Sequence, residues 1–226
     1  MPSQITLDLS FPLQQSFDNF ILGDNAELLT ALKSSPNLIW ISGPSGSGKT
    51  HLLRGAARHA GKQGRTTSFV PCAHPSNEVA EALDLAAQFG DVVLVDDVAH
   101  IAGHSEMERA LLASYERLKA SGGDLIISHQ NSAAAIDFGL QDLNSRCRSL
   151  LHYGVAALDD EGKAQLLRER ASHHGYDLSD AVVDYWLVRS PRDVGALLTD
   201  LSRLDRASLS RHRQVTIPLL KEELGY

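Results

Sequence analysis

Short apolar runs alternate with longer amphipathic stretches through much of the chain. The runs that predict buried parallel strands are 38–42, 68–70, 92–96 and 124–128. Between them, apolar residues recur at three- and four-residue spacing, the period of a helix, over 49–61, 76–88 and 105–120. Strands that alternate with helices in this way predict an α/β fold, with a parallel sheet covered by helices on both faces.

The pattern changes after about residue 155, where the strand-like runs stop. The helical patterns that follow lie near 160–174, 179–189 and 192–209 and after Pro218, a residue type favoured in the first turn of a helix. We therefore expect an α/β core over 17–155 and a small α-helical lid domain over 156–226. Residues 1–16 precede the core, and we expect them to form an extended tail because no helical pattern begins before Ala26.

Composition and charge exclude several classes of protein. The 226 residues carry a formal net charge of −7, which argues against autonomous binding to nucleic acid, since such binding needs a basic face. No apolar run approaches the roughly 18 residues of a membrane span, and the first 15 residues contain no basic residue, so we expect no membrane association and a cytoplasmic location. Cys72 and Cys147 are far apart and outside any CxxC pattern, which indicates buried thiols rather than a zinc site or a disulfide.

The segment GPSGSGKT, residues 43–50, meets the phosphate-loop pattern G-x-x-x-x-G-K-[ST] in full. It follows a predicted strand and opens a predicted helix, which is the context that the motif requires. Its glycines let backbone amides close around a phosphate, Lys49 neutralises phosphate oxygens and the Thr50 hydroxyl ligates Mg²⁺. We expect ADP or ATP as the ligand, bound by Gly43, Pro44, Ser45, Gly46, Ser47, Gly48, Lys49 and Thr50.

The apolar run 92–96 ends in two acids, Asp96 and Asp97. In an α/β fold the carboxyl ends of the strands face the ligand. We therefore predict that Asp96 holds Mg²⁺ together with Thr50, and that Asp97 orients or deprotonates an attacking water. An ordinary strand end is the structural alternative, and the phosphate loop earlier in the chain favours the functional interpretation.

The order and the amino-acid sequences of these segments resemble those of the DnaA branch of the AAA+ P-loop proteins. SFDNFILGDN, residues 16–25, resembles the family segment that lies against adenine, through Phe17, Asn19, Phe20, Gly23 and Asn25. The resemblance implies that Phe20 and Asn25 contact the nucleotide. It also implies an AAA+ core followed by a helical lid.

Three more segments carry family roles by the same resemblance. DLIISHQN resembles the sensor 1 strand, with Gln130 in place of the family's usual Asp, a departure that counts against self-hydrolysis. LQDLNSRCRS resembles the box whose final arginine reaches a neighbouring subunit's nucleotide, and Arg146 matches it. RSPRDVGALLTDL resembles the sensor 2 helix, in which Arg192 matches the arginine that contacts the phosphates from the lid.

Each of these three residues also has a structural alternative. Arg146 can be read as a surface helix residue, and Arg148 is near enough in the chain to take its role. Arg192 can be read as a capping or pairing residue within the lid. Gln130 can be read as an ordinary polar residue of a loop.

The tail contains QITLDL, which resembles the sliding-clamp-binding motif Q-L-x-L-x-L. An extended peptide presents alternate side chains to one groove, while its backbone supplies hydrogen bonds. The predicted clamp-binding residues are Gln4, Ile5, Leu7 and Leu9. Ile5 for Leu and Asp8 for Pro depart from the motif and predict a lower affinity, and a disordered tail or a first strand is the structural alternative.

Over residues 4–224 the chain resembles the DnaA-homologous regulatory inactivators of the replication initiator. The resemblance implies a regulatory protein that acts with the DNA-loaded sliding clamp, the beta subunit of DNA polymerase III. It would promote hydrolysis of DnaA-bound ATP through Arg146 and so prevent re-initiation of chromosome replication. Two alternatives remain open: an AAA+ protein with a weak ATPase activity of its own, and a loader or accessory module, for which we see no helix-turn-helix pattern. The sequence leaves homo-oligomer formation open.

Overall fold

The computed structural model describes residues 15–34, 38–190, 193–211 and 214–226. The described chain forms two compact units, Gln15–Asp159 and Asp160–Tyr226, which we call the core and the lid. The structure therefore divides after residue 159, whereas the sequence pattern changes after about residue 155. The predicted clamp-binding residues and Arg192 lie outside the described residues.

The core contains one parallel sheet of the order β2-β3-β4-β1-β5. Its strands are β1 (Leu38–Ser42), β2 (Thr67–Pro71), β3 (Val92–Asp96), β4 (Asp124–His129) and β5 (Leu151–Gly154). The register sets Trp40 beside Ile127 and Leu94 beside Ile126. Every residue of β3 is buried, as expected for a central strand with helices on both faces. The four predicted parallel strands are confirmed as β1 to β4, but β2 lies at an edge of the sheet and most of its residues are only half-buried.

The fifth strand, β5, was missed by the sequence pattern. It has four residues, LHYG, and most of them are exposed because β5 lies at the edge of the sheet and pairs only with β1 among the described strands. An edge strand of this kind lacks the continuous apolar run that marks buried parallel strands.

Helices cover both faces of the sheet. The helices of the core are α1 (Ala26–Lys33), α2 (Lys49–Lys62), α3 (Asn77–Phe89), α4 (Ser105–Ser121) and α5 (Gln141–Arg148). One apolar cluster joins α1 and α2 to Ile39, Ile41 and Leu94. A second cluster, with Trp40 and Leu125, joins α3, α4 and α5 to the opposite face. Alternate residues of each strand thus enter opposite clusters, as the period of two requires.

The two cysteines lie in this second cluster, and both are buried free thiols. Burial raises the pKa of Cys72 and of Cys147 to about 12. Both side chains are therefore protonated thiols at neutral pH and pack as small apolar groups.

The lid is a helical domain with an apolar core of its own. Its helices are α6 (Asp160–His173), α7 (Asp180–Arg189), α8 (Val194–Arg211) and α9 (Ile217–Leu224). Leu167, Trp186 and Leu220 are fully buried in its core. Pro218 occupies the first turn of α9, and the Thr216 hydroxyl caps this helix by accepting a hydrogen bond from the Leu219 N–H. None of the helices in the described ranges is long and apolar enough to cross a membrane.

A short segment at the start of the core packs along α2. Phe17, in a 3-10 helix over Phe17–Asn19, lies against Gly55, and Phe20 lies against Gly48. His51 Nε2 is 2.8 Å from the carbonyl oxygen of Ser16. We call residues 15–20 the N-terminal strap, because they bind the start of the core to the helix that follows the phosphate loop.

Candidate nucleotide-binding site

The phosphate loop and Asp96 lie at the same edge of the sheet, because the strands that precede the loop and end in Asp96 are parallel. Gly43 follows β1, Asp96 ends β3 and His129 ends β4. The Gly43 N–H donates to the carbonyl oxygens of His129, at 3.3 Å, and Gln130, at 3.1 Å. The start of the phosphate loop is therefore held against the end of β4.

The phosphate loop closes with Gly48, which has a φ of 95°. This left-handed conformation is one that side chains other than glycine rarely adopt. A Cβ atom at Gly48 would also lie 2.9 Å from Cε2 of Phe20. The motif glycine is thus required both by the turn and by the aromatic ring that packs on it.

Lys49 is the buried cation of the site. Its side chain, on a residue that is 7% exposed, donates to the carbonyl oxygens of Gly43, at 2.9 Å, and Pro44, at 3.0 Å. Desolvation lowers the pKa of Lys49, while the charges of Asp97 and Asp96 oppose that shift. The oxygens of a phosphate bound in the loop would replace these carbonyl oxygens as acceptors of the ammonium hydrogen bonds. The phosphate would then meet a positive charge that is largely shielded from water.

Asp96 joins three elements of the site. Thr50 Oγ1 donates to Asp96 Oδ2 at 2.7 Å, and Ser128 Oγ donates to Asp96 Oδ1 at 2.5 Å. A hydroxyl and a carboxylate at hydrogen-bond distance are the hard oxygen donors that Mg²⁺ prefers. Within the described residues no group of three or more His, Cys, Asp or Glu could hold a metal ion. Mg²⁺ beside a nucleotide usually takes one or two ligands from the protein and the rest from water and phosphate, and the donor atoms of Thr50 and Asp96 fit an ion bound in that way.

Asp97 adopts a φ of 55° and a ψ of 50°, the left-handed region, which is uncommon for a residue other than glycine. Its N–H donates to Ser128 Oγ at 3.1 Å, which fixes its backbone against β4. Desolvation lowers the pKa of both Lys49 and His129, and the charge of Asp97 opposes that shift at each residue. Strained backbone of this kind concentrates at functional sites, where the rest of the fold holds it in place.

Ser128 and His129 are two site residues that the sequence analysis did not single out. Ser128 contacts both acids, and His129 Nδ1 is a buried nitrogen without a hydrogen-bond partner in the described part of the chain. Desolvation is the main cause that lowers the pKa of His129, and the charges of Lys49 and His100 act in the same direction. The available signal was the polar pair Ser128 and His129, which directly follows the apolar residues 125–127.

Gln130, which was predicted in the sensor 1 role, differs from these two neighbours. Its side chain is exposed, and its described link to the site is the carbonyl oxygen that accepts from Gly43. The reason lies in the strand end: β4 runs through His129, so Ser128 and His129 are held by the sheet while Gln130 begins the loop. The catalytic role of Gln130 stays a prediction.

The two residues predicted to lie against adenine have different surroundings. The Phe20 ring packs on Gly48 and meets the His51 ring edge-on, with the ring centroids 5.4 Å apart. Asn25 is buried, and its amide donates to the carbonyl oxygens of Leu22 and Ala156 while its Oδ1 accepts from the Ala156 N–H at 2.9 Å. Phe20 thus stands beside the phosphate loop, whereas Asn25 ties the segment after the strap to the end of the sheet.

Arg146 lies in the last turn of α5, outside this cluster. Its Nε is 2.8 Å from Glu116 Oε1 of α4, and its side chain is 43% exposed. The guanidinium also lies over the ring of Tyr115, 5.7 Å from the centroid. Arg148, in the same turn, is exposed.

These features define an AAA+ P-loop protein: a parallel sheet of this order, a phosphate loop after β1, paired acids after β3 and a separate helical lid. The family model for the bacterial DnaA ATPase domain matches residues 13–158, and the model described as "Hda, lid domain" matches residues 160–224. The chain therefore belongs to the bacterial DnaA ATPase-domain family, and its lid is of the Hda type.

Solved structures of similar fold include initiators and a motor protein. Domain III of DnaA from Thermotoga maritima is 18% identical, with a TM-score of 0.81 over 94% of this chain and 96% of that chain. AMPPCP-bound DnaA from Aquifex aeolicus is 22% identical, with a TM-score of 0.70 over 91% and 70%. The RuvB Holliday junction branch migration motor of Thermotoga maritima is 15% identical, with a TM-score of 0.70 over 93% and 71%. At these identities the similarity concerns the fold.

Proposed function

We propose that this chain is a regulatory nucleotide-binding protein that acts with the DNA-loaded sliding clamp to promote hydrolysis of DnaA-bound ATP, and so prevents re-initiation of replication. The family of the core and the Hda type of the lid support a role in DnaA-related regulation. The observation that carries the proposal is the position of Arg146, in the last turn of α5 with 43% of its side chain exposed.

The chain order supports a role for Arg146 on a neighbouring molecule. Strand β5 starts at Leu151 beside Ile39 and ends at Gly154 beside Ser42, the residue before the phosphate loop. Arg146 precedes the start of β5, so it belongs to the end of the sheet opposite the loop. Its ion pair with Glu116 is exposed, and such pairs contribute about 0–1 kcal/mol. The guanidinium can therefore leave Glu116 for a phosphate at little cost.

The nucleotide of the chain itself would be ADP or ATP, held by the phosphate loop and by Phe20. The role of Arg192 stays a prediction, because this residue lies outside the described residues. Thr50 and Asp96 would hold Mg²⁺, which when bound neutralises the charge on the phosphates. Lys49 would bind phosphate oxygens and Ser128 would keep Asp96 in position. Asn25 would act indirectly, through its hydrogen bonds to Ala156.

A second candidate function is hydrolysis of the chain's own ATP. It is favoured by the strained backbone of Asp97, which follows the proposed metal ligand and acts electrostatically on Lys49. Turnover of ATP by the purified chain, without DnaA or clamp, separates the two functions. Turnover that Asp97→Asn abolishes would favour the second function.

Arg146→Ala tests the favoured function. Developing charge on the γ-phosphoryl group is stabilised by a guanidinium from a neighbouring subunit, by a factor of about 10³–10⁵ in other NTPases. The variant should keep ADP and clamp binding and lose the stimulation of DnaA. Arg146→Lys should rescue poorly, because an ammonium cannot form the bidentate pair. The measurement is single-turnover conversion of radiolabelled ATP bound to DnaA, with DNA-loaded clamp present.

Arg109→Ala is the matched control, because Arg109 is an exposed arginine whose described hydrogen bonds go to Ser105 on its own helix. It should stimulate as well as the unmodified chain does. Full stimulation by Arg146→Ala would remove Arg146 from this role, and Arg148→Ala would then be measured. If neither variant lost activity, the proposal of action on DnaA would fail.

A further inference from the structure

We infer that Glu108 is a positioning residue for Arg146, because its buried carboxylate ties the loop after Asp97 to the start of the arginine-bearing helix α5. The inference rests on the proposed function in one respect, namely that Arg146 acts on DnaA. The tie itself is a property of this chain alone.

Glu108 is a buried acid that the nucleotide site does not use. It lies in the first turn of α4 and is 1% exposed. Backbone N–H groups donate to both of its oxygens: Gly103 to Oε1 at 2.7 Å, Gly139 to Oε1 at 3.0 Å and Leu140 to Oε2 at 2.9 Å. Burial of a carboxylate costs free energy unless the group is hydrogen-bonded. These three hydrogen bonds therefore fix the carboxylate, and they also fix the backbone of the two loops that donate them.

The donors come from two loops that are far apart in the chain. Gly103 lies between the 3-10 helix Val98–Ile101 and α4, in the segment that begins with Asp97. Gly139 and Leu140 directly precede α5. One carboxylate therefore joins the segment that follows the site's acids to the N-terminus of α5, where the helix dipole also favours a negative charge.

A second buried polar residue makes the start of α5 rigid. The Phe138 N–H donates to Asn144 Oδ1 at 2.9 Å, and Asn144 Nδ2 donates back to the Phe138 carbonyl oxygen at 2.7 Å. Asn144 is one turn into α5, so these two hydrogen bonds link the loop held by Glu108 to the helix. The same helix carries Arg146 in its last turn, so its orientation sets the direction of that side chain.

Helix α4 also contacts the other end of α5. Glu116 of α4 pairs with Arg146, and Tyr115 lies under the guanidinium. Glu108 therefore fixes the start of α5 on the same helix that supports the arginine at its end. Glu108 thus connects the segment after Asp97 to the helix that carries Arg146.

Glu108→Gln tests the tie with little change of shape. One carboxylate oxygen becomes an NH₂ group, which cannot accept from a backbone N–H, so at least one of the three hydrogen bonds is lost. Glu106→Gln is the matched control, because Glu106 is exposed in the same turn of α4. Glu108→Asp is the second variant, since it keeps the charge but is one methylene too short to reach both loops.

Two measurements are made on the full chain with ADP present. Amide hydrogen exchange should show lost protection at Gly139 and Leu140 in Glu108→Gln and not in Glu106→Gln. Stimulated hydrolysis of DnaA-bound ATP should fall by about tenfold to a hundredfold, the usual cost of a displaced catalytic group. ADP affinity should stay at the control value. Glu108→Gln combined with Arg146→Ala should be no worse than Arg146→Ala alone, because both changes remove the same interaction.

Unchanged amide exchange at Gly139 and Leu140 would show that Glu108 does not hold this loop, independently of the result for hydrolysis of DnaA-bound ATP. Unchanged stimulation by a variant whose exchange has risen would overturn the positioning role. A loss of ADP affinity equal to the loss of stimulation would show a general structural role and would overturn it too. If Glu108→Gln does not fold, Glu108→Asp is judged by the same criteria. Failure of the proposed function is recognised separately, by Arg146→Ala that stimulates fully.

Discussion

Asp96 accepts hydrogen bonds from Thr50 and Ser128, and the charges of both Asp96 and Asp97 act on Lys49. The described centre therefore contains two carboxylates against one ammonium, a balance that repels a phosphate group. Mg²⁺, which we propose at Thr50 and Asp96, would reverse this balance. His129, with its lowered pKa, is neutral at neutral pH and adds no charge.

Lys49→Ala should weaken ADP binding by about tenfold to a hundredfold, since a hydrogen bond to a charged group contributes about 1.5–3 kcal/mol. The fold should survive, because Lys49 bonds only to carbonyl oxygens of its own loop in the described structure. Titration calorimetry with ADP and Mg²⁺ measures the change. Lys62→Ala, an exposed lysine at the end of the same helix, is the control. Equal affinities for the two variants would refute the phosphate-loop assignment.

Among the helices, strands and loops, those marked by hydrophobic periodicity or by the phosphate-loop motif were predicted best from the sequence. Strands β1 to β4 and the phosphate loop were recognised because apolar runs and the spacing of Gly43, Gly48 and Lys49 leave few alternatives. Helix α5 was recognised only as a family segment, since LQDLNSRCRS has few apolar residues and its position depends on Glu108, a contact distant in the chain. A local sequence pattern carries no information about a contact between residues far apart in the chain. The packing of the strap against α2 could not be predicted for the same reason.

The strap's fit against α2 can be tested with two glycines of that helix. A Cβ atom at Gly55 would lie 2.7 Å from Phe17 Cδ1 and 3.2 Å from the Phe17 backbone nitrogen, whereas one at Gly61 would meet nothing within 4 Å. Gly61→Ala should stabilise the core by about 0.4–1 kcal/mol, through the entropy of the unfolded chain. Gly55→Ala should destabilise it, because overpacking costs about 1–3 kcal/mol and exceeds that gain.

Urea unfolding followed by the fluorescence of Trp40 measures both changes. Trp40 is buried in the core and Trp186 in the lid, so the variants are compared in a Trp186→Phe background in which Trp40 alone reports. Gly55→Ala that is as stable as Gly61→Ala would contradict the packing of Phe17 on α2.

At the scale of the whole molecule, the chain joins a predicted clamp-binding tail to the nucleotide-binding core through the strap. Arg54 of α2 donates to Gln15 Oε1 at 3.1 Å, and His51 contacts the Ser16 carbonyl oxygen. Both residues belong to the helix that begins with Lys49 and Thr50. The described start of the core is therefore anchored on the helix that follows the phosphate loop, while residues 4–9 lie outside the described residues.

This arrangement predicts that clamp binding can be removed without loss of nucleotide binding. Replacing Gln4, Leu7 and Leu9 together by Ala removes the amide and two of the apolar side chains that the motif would place in one groove of the clamp. Co-elution with the clamp in size-exclusion chromatography should be lost, and ADP affinity should stay the same because the strap and α2 are untouched. Replacing Ser3, Thr6 and Asp8 by Ala is the control: these residues alternate with the anchors, so co-elution should persist.

Persistent co-elution of the first variant would move the clamp contact to another surface. Loss of ADP binding together with co-elution would mean that the tail is part of the folded core, and the division of the chain into tail and core would then be wrong.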